Sequence, residues 1–509
     1  MLASSLALFP ALETRALGGL RLVWDASPDP NVVGYNVYVG GASRRYTNVI
    51  SVGNVTEVEL NNLPPAPALY FAVTALDALG GESAPSNEVM WAPWGLQSSA
   101  TARPVFRVRG QGYISPDYSG RNLALWKTYT VAAVPMAGYV FAGWSGTVRS
   151  SEPRLNFVMQ PGLFLEATFI PSPFAPLAGQ YNGLFYETNG VRHDRAGFFT
   201  LTLTARGTYS GRLQLGGVRI PFSGMLPING LAEQTLARSD GSPLNLKLQF
   251  GDKGNNDRVL GTVGDGREWV AMLSGDRVVF DSVTRPCPLT GNYTMALLGK
   301  SNDRNLPAGH GAGTLRVSPA GRLTFSGMLA DDTRMSQTAW LSRDGAWPLY
   351  ASLYGGRGCA LGWIIFESRT SDDLRGSIVW IKPSDAAARF YPAGFAAAFD
   401  AIGSVFVPPL TAADSALGFT NAQVVFDGSC LASPAINPIA LGPNDKVLPL
   451  GPNRLSMSIS RGSGTFMGRV ADPASGLSRI FRGVVLQKAA RGLGYLQCDR
   501  ETARVELNR

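Results

Sequence analysis

Apolar residues fall at every second position through much of the chain. Phe199, Leu201 and Leu203 alternate with Thr, Leu315 and Val317 with Arg and Ser, and Leu455, Met457 and Ile459 with Ser. Leu244, Leu246, Leu248 and Phe250 alternate with Asn245, Lys247 and Gln249. A period of two marks a strand with one buried and one wet face. Gly-containing turns between such segments predict consecutive antiparallel hairpins. Long meanders of this kind close into barrels or barrel-like sandwiches, because closure removes exposed edges. The chain is therefore expected to be all-β: a modular β-sandwich, a small β repeat module, and C-terminal antiparallel meander or barrel repeats.

The C-terminal part repeats itself. Pro176-Leu177-Ala178-Gly179-Gln180-Tyr181 is answered by Pro288-Leu289-Thr290-Gly291-Asn292-Tyr293. A second landmark follows each opening: Thr208-Tyr209-Ser210-Gly211-Arg212-Leu213, then Thr324-Phe325-Ser326-Gly327-Met328-Leu329, with a divergent copy at Thr465-Phe466-Met467-Gly468-Arg469-Val470. Such recurrence predicts one strand-turn-strand unit used repeatedly.

Nearer the N-terminus, short apolar segments at 20–24, 35–39 and 69–75 are separated by turn clusters such as Ser27-Pro28-Asp29-Pro30-Asn31, the spacing of a small sandwich. Trp24-Asp25, Gly34-Tyr35-Asn36-Val37-Tyr38, Tyr70-Phe71-Ala72-Val73-Thr74-Ala75, Gly81-Glu82-Ser83 and Ser86-Asn87-Glu88-Val89 make this segment resemble a fibronectin type III domain. Leu69 stands where that family usually has Tyr, so the resemblance implies a sandwich without its tyrosine-corner hydrogen bond. Trp24 is expected between the sheets and Asp25, Asp29 and Asn31 in a turn.

The next segment carries Gly138-Tyr139-Val140-Phe141-Ala142-Gly143-Trp144-Ser145-Gly146, then Phe157-Val158-Met159 and Glu166-Ala167-Thr168-Phe169. It resembles the bacterial repeat module of the internalin B-repeat type. Gly143 and Gly146 permit a tight turn, while Trp144 supplies the apolar area that a small domain is short of. The region after it is similar to the C-terminal repeats of secreted proteins of environmental bacteria. That likeness rests on Gly179-Gln180-Tyr181-Asn182-Gly183-Leu184-Phe185, on Phe481-Arg482-Gly483-Val484-Val485-Leu486-Gln487 and on Gly492-Leu493-Gly494-Tyr495. It implies structure and no established activity. The expected units are a leader or signal remnant at 1–17, a type III-like sandwich at 18–98, the repeat module at 99–175, and β-repeats at 176–287, 288–388 and 389–509.

Composition agrees with a turn-rich β protein. Gly 59 and Pro 34 exceed the usual share, and charged residues reach only 16% against about 25% in an average chain. The net charge of +8 is spread thinly: residues 171–509 hold 34 basic against 26 acidic side chains with no Lys/Arg run. That distribution argues against nucleic acid, which asks for a concentrated basic face. No stretch reaches the length of a membrane helix. The apolar N-terminal stretch points to an extracellular or cell-surface location, although it lacks a basic n-region. Cys287, Cys359, Cys430 and Cys498 contain no CxxC pair, so they read as up to two disulfides or as buried thiols.

No catalytic constellation stands out, and no cofactor or metal is expected. His193 and His310 belong to no HExxH motif and read as loop histidines. The loops at 251–257 and 301–305 lack calcium-loop spacing. Asp331-Asp332 and Asp372-Asp373 are adjacent acids, which on a strand point to opposite faces. The expected function is a non-enzymatic extracellular or surface protein for adhesion, scaffolding or ligand presentation, with an extracellular glycan or protein as partner. The alternatives are a glycan-binding accessory protein using Trp340, Trp347 and Trp363 as stacking platforms, and a hydrolase with an unrecognised site.

Overall fold

The structure, a computed structural model, describes residues 6–9, 20–61, 63, 68–91, 101–238, 242–252 and 255–509. It is all-β. The leader expected at 1–17 lies outside these residues except for the strand Leu6–Phe9, and so do the boundary expected at 98 and Lys253 and Gly254 of the 251–257 loop. Among the described residues no helix is long and apolar enough to cross a membrane. The chain divides into two compact units, the first holding residues up to Arg109 with Tyr113–Val134 and Gly143–Thr168, the second holding Gly110–Gly112, Pro135–Ala142 and Phe169–Arg509.

The first unit opens with a seven-stranded sandwich. One sheet contains Leu6–Phe9, Leu20–Trp24 and Glu57–Leu60; the other orders Asn48–Gly53, Val32–Gly40, Leu69–Asp77 and Val89–Trp91. Leu22, Val37, Leu69 and Phe71 fill the space between them. Trp24 is buried and meets Tyr35 edge-on at 5.7 Å, while Tyr38 turns to Tyr46 and donates to Glu82. Asp29 accepts the Asn31 backbone N–H at 3.0 Å, an Asx turn. In the segment that follows, Thr128–Pro135 pairs antiparallel with Arg154–Val158, and Val105–Arg109 pairs in parallel with Phe164–Pro171. Trp144 is buried and its indole N–H donates to the Pro153 carbonyl at 3.2 Å, a packing role.

The second unit contains three near-closed barrels of eight antiparallel strands. The first runs Gly179–Tyr186, Gly197–Leu203, Thr208–Leu215, Val218–Met225, Leu231–Leu236, Leu244–Asp252, Asn255–Gly264 and Val270–Arg277. Sequence neighbours pair from the first strand to the fourth and from the fifth to the eighth, and the first pairs with the eighth. The fourth and fifth share no ladder, which leaves a seam. The second barrel has the same order over Gly291–Leu297, Gly311–Val317, Arg322–Met328, Arg334–Trp340, Ala346–Leu353, Gly358–Phe366, Leu374–Lys382 and Phe395–Val405. Its closing strand lies beyond the boundary expected at 388. That strand is needed because it pairs with both Gly291–Leu297 and Leu374–Lys382.

The third barrel comprises Asn421–Asp427, Ala435–Gly442, Lys446–Pro449, Ser456–Ile459, Thr465–Ala471, Ser478–Leu486, Arg491–Gln497 and Thr502–Asn508. Here the seam falls between the third and fourth strands. The Thr208 and Thr324 landmarks sit on third strands, whereas the copy at Thr465 sits on a fifth strand. The motif therefore reports local packing and not position in a repeat. A Cβ on Gly211 would stand 2.4 Å from the Thr200 carbonyl oxygen and 2.6 Å from the Phe222 ring; on Gly468 it would stand 2.2 Å from that of Ser456 and 2.5 Å from the Phe481 ring. Each glycine lets a neighbouring strand's aromatic ring cover the backbone.

The alternation places side chains as its period requires. Leu244, Leu246, Leu248 and Phe250 are buried, with Asn245 and Lys247 exposed. Phe185, Phe199, Tyr209 and Phe222 fill the first barrel, Phe325, Trp347, Trp380 and Phe399 the second, and Phe426, Phe466 and Phe481 the third. Eight strands enclose just enough room for side chains. Clefts lie along the barrels' outer faces.

Candidate functional site

A cleft of about 680 Å³ lies between the first and second barrels. Its walls are the outward faces of alternating strands. On Thr208–Leu215, Leu213 and Leu215 point in, which turns Arg212 and Gln214 out. On Arg334–Trp340, Met335 and Ala339 point in, which turns Arg334, Ser336, Thr338 and Trp340 out. On Arg322–Met328 the same rule exposes Arg322 and Thr324. Arg219 completes the lining on the first-barrel side.

Two smaller clefts adjoin it. One of about 400 Å³ shares Thr200, Arg212 and Trp340 with the main cleft. Another, of about 480 Å³ between the second and third barrels, shares Arg334 and adds Ser458, Ser460, Thr465 and Arg482. Among the described residues no Asp or Glu borders any of the three.

Trp340 is the pivot of the arrangement. Its backbone N–H donates to Asn182 Oδ1 at 2.9 Å and its carbonyl accepts from Asn182 Nδ2 at 3.2 Å. Asn182 is buried on the first strand of the first barrel, so the two barrels are joined at the tryptophan that borders two clefts. Arg343 of the second barrel also pairs with Asp257 of the first at 2.5 Å.

The other tryptophans named as platforms are placed differently. Trp347 is fully buried, donates its indole N–H to Gln337 Oε1 at 3.0 Å, and packs 5.4 Å from the Phe325 ring. That corrects its reading as a platform: Trp347, Leu349, Ala351 and Leu353 share the inward face of their strand. Trp363 packs half-buried against the second barrel's core and borders none of the three clefts.

The titratable groups are committed elsewhere. Asp331 and Lys382 form a buried ion pair at 2.9 Å, and Tyr354 donates to the same carboxylate at 2.7 Å. Burial, then the Asp331 charge, drives the Tyr354 phenol far up. Asp332 accepts from Tyr495 and faces Arg482, Asp372 pairs with Arg375, and Asp373 pairs with Lys488. His310 is buried between the second and third barrels, where its Nδ1 accepts the Gly299 N–H at 2.9 Å; His193 lines a separate small cavity with Asp194 and Arg238. Among the described residues no three His, Cys, Asp or Glu gather as for a metal.

Cys430 and Cys498 are disulfide-bonded, and Cys287 and Cys359 are free and buried. Burial raises the Cys287 thiol and pushes that of Cys359 up to about 12, which makes both poor nucleophiles.

No protein-family model matches the chain, and no curated protein matches it. Among solved structures it is similar to intact Ap-TbpB with its N and C lobes, at 9% identity over 98% of this chain and 98% of that one, TM-score 0.17. It is similar to the central fibronectin-III array of RIM-binding protein at 12% identity over 66% and 99%, TM-score 0.17. Isotype 1 transferrin binding protein B from serogroup B Neisseria meningitidis gives 7% identity over 96% and 88%, TM-score 0.17. Scores this low leave the site to be argued from the chain's own residues.

The cleft residues that sequence reasoning passed over are Arg212, Arg219, Arg322 and Arg334. Their signal was present in the alternation: Arg212 stands on the polar side of the Thr208 landmark and Arg322 two residues before Thr324, on the polar side of its strand.

Proposed function

We propose that the chain is a non-enzymatic extracellular or cell-surface modular protein that holds a glycan in the cleft between its first two barrels. The observation that carries this is Trp340, whose half-buried indole stands at the border of two clefts on a backbone fixed by Asn182. An aromatic face held rigid beside hydroxyl and amide groups offers a sugar both stacking and hydrogen bonds. Thr200, Gln214, Ser336 and Thr338 supply those polar groups. The paired acids a hydrolase would use are tied into ion pairs with Lys382, Arg482, Arg375 and Lys488.

The fibronectin type III reading of 18–98 and the bacterial-repeat reading of 99–175 belong to the same proposal, as spacer or adhesion modules. A sandwich of three and four strands supports the first. The Cys430–Cys498 disulfide supports an oxidising location.

The test is a glycan array probed with the full chain, with Trp340→Ala and Trp363→Ala as variants. Binding that Trp340→Ala abolishes and Trp363→Ala leaves unchanged is the expected result. An array with no bound glycan, or one on which both variants behave as the parent, rejects the reading.

A further inference from the structure

We infer that the ligand is an anionic polysaccharide, a sugar polymer carrying carboxylate or sulfate groups, laid along the row of clefts from the first barrel to the third. This rests on the glycan reading above and narrows it to one chemical class.

Charge is the first argument. Arg212, Arg219, Arg322, Arg334 and Arg482 border the three clefts, and among the described residues no carboxylate does. Arg482 faces Asp332 at 3.6 Å, whereas the other four make no ion pair among the described residues. Unpaired guanidinium groups gathered beside concave, partly desolvated walls are a field that attracts anions. All five cations are Arg and none is Lys, and the planar fork of Arg matches carboxylate and sulfate oxygens in pairs.

Spacing is the second. Arg322 stands opposite Trp340 in the strand register, and Arg334 stands opposite Met328 at the other end of the same hairpin. Six strand positions separate them, about 20 Å at the usual rise per residue. A compact anion such as phosphate could meet only one end. A polymer with a charge at regular intervals meets both, and the sharing of Arg334 with the third cleft continues the path.

The lining also separates a glycan from a nucleic acid. Single-stranded nucleic acid is held by successive bases stacked on several aromatic faces. Here Phe198, Tyr350, Tyr181, Phe325 and Phe466 are buried, and among the described residues Trp340 is the one partly exposed aromatic bordering the clefts. The remaining groups are the hydroxyls and amides suited to sugar rings.

The experiment is titration calorimetry of the full chain against polygalacturonate, dextran sulfate, uncharged dextran and a thymidine 20-mer. The first two are expected to bind, and Arg212→Gln combined with Arg322→Gln is expected to weaken them about tenfold or more. The melting temperature should stay unchanged because both side chains are exposed. Trp340→Ala should weaken them as well. Dextran bound as tightly as the charged polymers, with dependence on Trp340 but not on the arginines, overturns the anionic inference and keeps the glycan reading. No binding to any sugar overturns both, and tighter binding of the 20-mer than of either acidic polymer overturns the choice of ligand class.

Discussion

The Asn182 side chain takes both hydrogen bonds that the Trp340 backbone turns toward the first barrel, donating to its carbonyl and accepting its N–H. An amide side chain thus stands in for the strand that would otherwise pair there. Asn182→Ala leaves two backbone groups without partners at a buried junction, at a cost of about 2 kcal/mol. Urea unfolding should show that loss. Asn182→Asp sets a buried carboxyl against the Trp340 carbonyl oxygen, opposite Asp276 in the register, and should cost at least as much as the Ala variant.

Asp331 and Lys382 give a second measurable case. Removing one partner of a buried pair leaves an uncompensated charge, so Asp331→Ala should destabilise the second barrel by about 3–5 kcal/mol. Asp331→Leu with Lys382→Met removes both charges and should lose much less. Trp380, whose indole N–H donates to the Tyr354 oxygen at 2.9 Å, reports the transition by fluorescence.

The Cys430–Cys498 bond ties the loop after the third barrel's first strand to the turn before its last, across 68 residues. Cys430→Ala with Cys498→Ala, or reduction by dithiothreitol, should lower the stability of that barrel by about 2–5 kcal/mol. Calorimetric scans with and without reductant check this. The first barrel holds no cysteine and its transition should not move.

Acid should loosen the junction of the second and third barrels. His310 Nε2 faces Glu506 at 3.8 Å, an electrostatic approach beyond hydrogen-bond length, and with Asn508 and Arg504 it pulls the Glu506 carboxyl down to about 2 from its ordinary 4.5. A depressed carboxyl contributes stability above its unfolded pKa, and that stability is lost as pH falls toward the folded one. Unfolding free energy should therefore decline between pH 4.5 and 2. Glu506→Gln should flatten that part of the profile, as followed by denaturant titration across the range.

Much of the architecture was legible in alternation alone. Leu244 to Phe250 and Phe199 to Leu203 named their own inward faces, and the Trp24 core position followed from its strand. Two things were not legible. The seams depend on which strands meet around a closed sheet, and a local motif such as Thr465-Phe466-Met467-Gly468 recurs wherever an aromatic ring must cover a glycine, whatever the strand's number. The arginines escaped notice because they are scattered along the chain without a run. Only the packing of one barrel's outer face against the next brings Arg212 and Arg334 to one cleft, so a count of net charge per segment averaged them away.

The displaced seam of the third barrel limits how freely these repeats can be exchanged. The first barrel lines the row with its first to fourth strands, while the third barrel contributes its fourth, fifth and sixth. A chimera that spliced a copy of the first repeat into the third position by matching first strand to first strand would rotate the wrong wall toward the groove, because the first barrel's strands along the main cleft and the third barrel's lining strands differ by two in strand number. Shortening or extending this row by whole repeats would succeed only for units cut at the same seam.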